Sequence, residues 1–337
     1  MAELNTYGDI SPRTAAFAAK RLLARGQHIL VFERWGQVDP QGQNKTKSRS
    51  YRRYESLPRA IAPLAEGIPP TGQQLTFTDV TINLEQYGDS VQLTDVIEDT
   101  HEDSVLNESM DLVGEQAAET IEVVRYNILK AGTNVFYANA AANRAAVNSA
   151  PLRGDLRRIF RSFKRAKGRE FTRIVKASPA VSTEPVGTAY WAVGHTDLDS
   201  DIKDIAGFTP VEQYSNSSKA LEGEIGKLEN FRIVLTALAD PFLEAGLSGS
   251  TFLTNGSSGT GQPDVYPLLC FARNSYAIVP LQGDNAVTPI VLNPNKPSPS
   301  DPLGQVGFVS WKMWQGAGIL NQTWMARYEC AATANPS

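Results

Sequence analysis

Histidine and cysteine are scarce in this chain of 337 residues, with three of the first and two of the second. Cys270 and Cys330 are too few for a disulfide framework or a zinc site, and their number fits a reducing cytosol. His28, His101 and His195 stand far apart, and no spacing brings them together. No apolar run approaches the roughly eighteen residues that a membrane span needs. Met1-Ala2-Glu3-Leu4-Asn5 carries neither a basic nor an apolar region, so no signal peptide is expected. No internal repeat occurs at solenoid periods. The formal charge of −4 is mild, so the chain as a whole does not advertise nucleic-acid binding. What remains is 42% apolar and 20% charged, the composition of a globular protein long enough for two domains and a sizeable core.

Motifs that carry chemistry are missing as well. His195 with Asp197 and Asp199 can be drawn as a metal site, but capping acids at a solvated helix start account for them better. Gly256, Gly259 and Gly261 lack the Lys-Ser/Thr of a phosphate loop, and Pro263 follows at once. Ser248, in Gly246-Leu247-Ser248-Gly249-Ser250, misses the nucleophile elbow by its last glycine. His101-Glu102 has no second histidine four residues on. Asn44-Lys45-Thr46 fits a glycosylation sequon but has no secretory context. No catalytic residue, cofactor or metal site is expected.

What the chain does have is one long helical stretch over 100–131. Leu106, Met110, Val113, Ala117, Ile121, Val124 and Ile128 recur three or four apart and form one stripe. Thr100 and Asp103 suit its start, Lys130 its last turn, and Gly132 a C′ position. Asp111, Glu115, Glu119 and Glu122 line an acidic flank. Such a helix, about 45 Å long, is a spine.

Around it the chain changes character several times. Ser11 and Pro12 open a short helix that stops at Gly26, and 28–32 reads as a strand. Residues 1–40 are too thinly apolar for a domain and read as an arm. Residues 45–55 and 75–84 alternate as strands on either side of a tip carrying Pro58, Pro63, Gly67, Pro69, Pro70 and Gly72. Gln86-Tyr87-Gly88-Asp89 reads as a bend, followed by a strand over 91–96. The result is a two-stranded arm. A lone ribbon is barely stable in water, so it packs on its own domain or on another subunit.

A second helix over 151–168 is strongly basic, with Arg153, Arg157, Arg158, Arg161, Lys164 and Arg165, while Leu156, Ile159, Phe160 and Phe163 make its apolar stripe. Nucleic-acid phosphates would suit it. Pairing with acidic faces, the spine's flank included, is favoured, because no aromatics interleave the charges. Strands follow at 190–193, 231–235, 268–271 and 276–279, with a short helix over 195–206. A flexible loop is read at 255–262 and a proline-rich excursion at 293–302. Residues 307–328, with Trp311, Trp314 and Trp324, read as buried strand.

The sequence also resembles a known family along most of its length, in order. The motifs are Thr6-Tyr7-Gly8-Asp9-Ile10-Ser11-Pro12-Arg13, Tyr51-Arg52-Arg53-Tyr54, Glu66-Gly67-Ile68-Pro69-Pro70-Thr71-Gly72 and Gln86-Tyr87-Gly88-Asp89. Leu93-Thr94-Asp95-Val96-Ile97-Glu98-Asp99-Thr100 and Arg125-Tyr126-Asn127-Ile128-Leu129-Lys130-Ala131-Gly132 come next. Late in the chain stand Gly223-Glu224-Ile225-Gly226-Lys227-Leu228, Asp301-Pro302-Leu303-Gly304-Gln305 and the stretch around Ile319-Leu320-Asn321. With these the chain resembles major capsid proteins of tailed double-stranded DNA bacteriophages, in the branch of the N-four-like podoviruses.

The resemblance implies an α+β protein with the Hong Kong 97-type capsid fold. It implies an N-terminal arm over 1–40, an extended loop over 41–98 and a peripheral domain over 99–180 built on the spine helix. An axial domain would take 181–304, and 305–337 would return to the peripheral domain. The implied role is structural, not enzymatic: pentamers and hexamers closing an icosahedral shell around phage DNA in the virion. Contacts between copies are expected at Arg52, Arg53, Glu66, Gly67, Gly72, Glu115, Glu119, Arg157 and Arg161. Other implied partners are a separate scaffolding protein, a portal, a possible decoration protein and packaged DNA held without sequence preference; no membrane is implied. A Lys–Asn cross-link through Asn44, Lys45 or Lys47, known in some relatives, is not expected. An encapsulin-like nanocompartment around a protein cargo is the alternative reading.

Overall fold

The long helix forms. In the computed structural model α1 is Val105–Lys130, about 39 Å of rod at 1.5 Å per residue. The structure describes residues 30–61, 63, 66–67, 72–96, 105–176, 182–214, 221, 223–248, 251–255, 261–282, 287–292, 294 and 301–334. The helix expected over 11–25, the start of the spine at 100–104 and most of the loop at 255–262 lie outside them, as does most of the excursion at 293–302.

Ahead of the helix come β1 (Gln37–Val38), β2 (Ser48–Tyr54), β3 (Phe77–Asn83) and β4 (Glu85–Thr94). After it come β5 (Val135–Tyr137), the basic helix α2 (Arg153–Arg165), β6 (Phe171–Lys176) and β7 (Ser182–His195). The short helix α3 (Asp199–Lys203) leads to β8 (Phe208–Pro210), β9 (Glu224–Leu228) and β10 (Phe231–Thr236). The chain closes with β11 (Tyr266–Phe271), β12 (Tyr276–Pro280), β13 (Val287–Leu292), β14 (Val306–Ile319) and β15 (Met325–Cys330).

These strands make two sheets and a ribbon. Sheet one is built on β14, whose fourteen residues pair with β12, β13 and β4, while β1 adds in parallel to β12. Sheet two runs β5-β15-β11-β7-β10-β9-β8, with β6 on β7. The ribbon is β2 against β3, from Ser48 opposite Asn83 to Tyr54 opposite Phe77.

Helix α1 joins the sheets. Its first half packs Met110, Val113, Ala117 and Ile121 on Leu93, Val309, Trp311 and Met313 of sheet one. Its last turns place Tyr126 and Leu129 among Trp191, Phe271 and Met325 of sheet two, with Phe32 and Trp35 of the entering segment. The buried seam therefore rotates along the rod. Val124 and Ile128, on the expected stripe, are only half-buried, while Glu122 and Arg125 are buried. Gly132 does not adopt the left-handed conformation expected of a C′ glycine. The last carbonyl, that of Lys130, instead accepts the Arg327 guanidinium from β15.

Sheet two is covered on both faces. On the face away from α1, Leu156, Ile159 and Phe163 of α2 meet Tyr190, Phe231 and Leu268. This explains why Tyr190-Trp191-Ala192-Val193 is an unbroken apolar run, since a strand buried on both sides has no polar face to alternate with.

Several expectations are corrected. Residues 32–34 form a 3-10 turn, not a strand. Gln86-Tyr87-Gly88-Asp89 is no bend but lies within β4, in register with Lys312 at Gly88. Residues 307–328 hold two strands in two different sheets. By chain order α2 was expected to group with the spine, whereas it packs on sheet two. Likewise β12 and β13, read as axial, pair with the C-terminal β14. Pairing is set by contacts distant in sequence, which local patterns do not encode.

The ribbon leaves sheet one by crossing β14. A Cβ on Gly318 would lie 2.7 Å from Ile82 Cγ1, and one on Gly316 would lie 2.5 Å from the Asn83 carbonyl oxygen. Only glycine permits that approach.

The spine's buried and open faces predict unequal sensitivities. Leu129→Ala, fully buried between α1 and sheet two, is expected to cost about 2–5 kcal/mol. Leu112→Ala, at 59% exposure, should change stability by no more than about 0.5 kcal/mol. Urea unfolding midpoints of the two variants measure the difference.

Candidate assembly surfaces

The ribbon is the least covered part of the described chain. Its base is fixed: Ile82 and Leu84 are buried with Ala277 and Val279, and Tyr51 packs against them. Arg49 pairs with Asp39 at 2.7 Å and Lys47 with Glu85 at 3.0 Å. Beyond the base both strands are open, and cross-strand side chains are what organise them. Arg52 donates to both oxygens of Asp79, each at 2.8 Å, and its guanidinium lies 4.1 Å from the centroid of the Phe77 ring. Those hydrogen bonds hold the Asp79 carboxyl below its ordinary range. Tyr54 meets Phe77 edge-on with centroids 6.2 Å apart.

The other expected ribbon residues also face outward. Arg53 is exposed opposite Thr78 in the ladder. Glu66 and Gly67 sit in an exposed turn, with Gly67 at φ +76°. Among the described residues, neither Gly67 nor Gly72 has an atom within 4 Å of a Cβ built there. The apolar component was not expected from sequence: Tyr54, Leu57, Ile61, Leu75 and Phe77 are all more than half exposed, Ile61 at 84%. The signal was present, as large apolar residues at the outer ends of two strands and beside the tip, with nothing in the sequence to cover them.

The acidic flank and the basic helix do not meet. Glu115 is half-buried and Glu119 exposed on α1, on the opposite side of sheet two from α2. Arg153 and Arg157 both reach Glu229 in the β9–β10 turn, at 2.5 and 2.9 Å. Their hydrogen bonds, Arg153's foremost, hold the Glu229 carboxyl below its usual range. Lys164 pairs with Glu170 at 2.6 Å, and Arg158 lies 3.5 Å from Asp155. Arg161 is exposed. The favoured reading of this helix, pairing with acids, is therefore met by Glu229, Asp155 and Glu170 and not by the spine. Glu122 leaves the flank altogether, being fully buried.

A second ionic cluster lies where α1 ends. Glu329 of β15 is wholly buried and accepts two hydrogen bonds from Arg144, both 2.8 Å, and one from Arg327 at 2.7 Å. Arg144 also stacks over Phe242 at 3.4 Å and Lys130 does so at 4.0 Å. His195, drawn as a possible metal ligand, is instead a helix cap: Nδ1 accepts the Asp197 N–H at 3.1 Å. Asp197 in turn accepts the Tyr266 hydroxyl at 2.8 Å. Among the described residues no three His, Cys, Asp or Glu side chains cluster to hold a metal. Burial raises the thiol pKa of Cys270 and Cys330, which disfavours the nucleophilic thiolate.

The arrangement is one of exposed, fixed surfaces rather than a reactive cleft, and comparison with known proteins agrees with that. A family model described as phage capsid protein matches residues 78–329. The chain belongs to the phage capsid protein family. The major capsid protein of Pseudomonas phage KPP21 is 23% identical over 130 residues, 37% of this chain and 33% of that protein. The match thus spans about a third of that relative's length. The capsid of Ralstonia phage GP4 superposes with a TM-score of 0.65 at 12% identity, covering 90% of this chain and 88% of that one. An encapsulin complex from Synechococcus elongatus superposes at 0.53 and 9% identity, covering 89% and 87%. The fold of this phage capsid protein is the α+β Hong Kong 97-type, with α1 as its spine and the β2–β3 ribbon as its extended loop.

The two carboxylates that gather arginines should behave differently. Glu329→Gln removes a wholly buried carboxylate from two partly buried guanidinium groups and is expected to destabilise the subunit by about 3 kcal/mol. At Glu229 the arginine side chains are 40% and 57% exposed, so Glu229→Gln should cost no more than about 1 kcal/mol. Guanidinium unfolding curves distinguish the two.

Proposed function

We propose that this chain is the major shell subunit of a tailed double-stranded DNA bacteriophage. Its copies gather into pentamers and hexamers that close an icosahedral shell around the packaged DNA. The observation that carries this reading is the outer ribbon, whose large apolar side chains stand more than half exposed. Apolar surface of that kind marks a protein contact on a soluble chain. A contact between a ribbon and a different surface of the next copy is heterologous, and such contacts close into rings.

Within this reading Arg52, Arg53, Glu66, Gly67 and Gly72 meet a neighbouring copy. Glu115, Glu119, Arg157 and Arg161 supply charged contact at other edges. The subunit divides by its cores: sheet one with the first half of α1 is peripheral, and sheet two with α2 is axial. The role is mechanical and uses no catalytic residue or cofactor. A scaffolding protein, a portal and a decoration protein are the further partners this role calls for. DNA contact is by phosphates alone and falls with added salt.

Negative-stain imaging of the purified chain, with and without scaffold, is the direct check. Rings of five and six or closed shells are expected; a monomer that persists at high concentration in both conditions overturns the reading. Shells from the natural source that hold a protein cargo in place of DNA would move the protein to the nanocompartment class. The double substitution Tyr54→Ser with Phe77→Ser should change the unfolding free energy by no more than about 0.5 kcal/mol while abolishing rings and shells by light scattering.

A further inference from the structure

The segment that enters the fold meets the spine helix at one carboxylate. Glu122 projects from α1 and is fully buried. Its Oε1 accepts the backbone N–H groups of Val31 at 2.8 Å and Phe32 at 3.0 Å. These are free donors at the start of the 3-10 turn over 32–34, so the carboxylate caps that turn from a different element. Its Oε2 has no partner among the described residues.

Among the described residues, three other titratable or charged groups face this carboxylate. Arg125, on α1 itself, is 5% exposed; it donates to Glu33 at 3.3 Å, and its Nε has no partner among the described residues. Glu33 comes from the entering segment and adds a like charge. Tyr276 comes from β12 and donates its hydroxyl to the Phe32 carbonyl at 2.5 Å; its pKa lies well above the ordinary tyrosine value, chiefly through burial. Arg125 is therefore the one cation among them, and it is already engaged by Glu33.

We propose that Glu122 is a proton-operated clasp, in which a proton on Oε2 fastens residues 31–35 to the spine and its loss loosens them. The proton comes from solvent, one O–H bond forms, and Oε1 keeps both amide hydrogen bonds as a carbonyl acceptor. Burial pushes the Glu122 carboxyl up to about 7, against two amide hydrogen bonds and the Arg125 charge that pull it down, and with Glu33 adding to the rise. When the segment lifts away, water reaches the carboxyl and its pKa returns to the ordinary value of 4.5.

The docked form thus holds the proton more tightly than the released form. Docking is firmest below pH 4.5, weakens as pH rises through the window to about 7, and is constant above it. Each unit of difference is a factor of ten, so the ceiling across this window is roughly 300-fold.

The clasp has leverage because its segment reaches both sheets. Trp35 stacks on Trp191 of sheet two at 5.1 Å between centroids, and β1 then adds to β12 of sheet one. One short segment thus ties the spine to both sheets, and proton loss relaxes all three at once.

Hydrogen–deuterium exchange of the full chain between pH 4.5 and 8, corrected for intrinsic rates, tests this at residues 31–35. Protection is expected to fall at least tenfold as pH rises. Glu122→Gln, neutral throughout and able to accept the same amides, should hold it high and flat. Glu33→Gln, at a half-exposed position, should move the midpoint to lower pH. A flat profile in the parent chain, or the parent's slope retained in Glu122→Gln, overturns the proposal. If Glu122→Gln does not fold, an unchanged midpoint in Glu33→Gln overturns it.

Discussion

One helix has to be buried against two separate sheets. Everything else in the subunit accommodates that requirement on α1. Met110, Val113, Ala117 and Ile121 serve sheet one, and Tyr126 and Leu129 serve sheet two. Between the two sets the helix carries Glu122 and Arg125, both buried. A buried charge needs a partner or a proton, so the changeover attracts a third element, the entering segment, whose amide groups Glu122 accepts. At the far end, the Lys130 carbonyl is taken up by Arg327, itself held by Glu329. The spine is thus fastened at its middle and its end by polar groups and along its length by apolar packing.

Sheet two and the ribbon show what the same strand-forming residues do in opposite settings. β10, β11 and residues 189–194 of β7 are buried on both faces, and their alternate residues feed two separate cores. The ribbon strands β2 and β3 are bare on both faces over most of their length. The first arrangement stabilises the isolated subunit. The second contributes little to it, and its apolar residues lower the solubility of the free chain until something covers them. In the proposed shell, folding and association fall to different parts of the sequence.

Local pattern was legible and long-range pairing was not. The 3.6-residue period exposed α1 and α2, and the alternation around Val80, Ile82 and Leu84 exposed the ribbon. The motifs shared with capsid proteins pointed to the fold, which the family match bears out. What failed were statements that depend on a partner. Gly132 suits a left-handed cap by composition, yet Arg327, almost two hundred positions later, supplies the capping donor instead. Glu122 reads as one more acid on a solvated flank, because nothing near it in sequence says that Val31 and Phe32 will arrive on top of it. Gly88 reads as a bend because glycine commonly marks one, whereas here it sits in a long ladder against β14. At the candidate surfaces the expected contacts were charged residues or glycines, while Tyr54 and Phe77 beside them, both more than half exposed, passed as ordinary strand residues.

The crossing at Gly316 and Gly318 has a mechanical consequence. A ribbon gripped at its base is a lever: the five paired residues of each strand beyond Ile82 and Arg49 reach about 17 Å. A rotation of about ten degrees at the crossing, with each strand keeping its length near that reach, sweeps their outer end through about 3 Å. At Gly316 and Gly318 the ribbon rests directly on the β14 backbone, so small changes in the set of β14 are magnified at the ribbon's outer end.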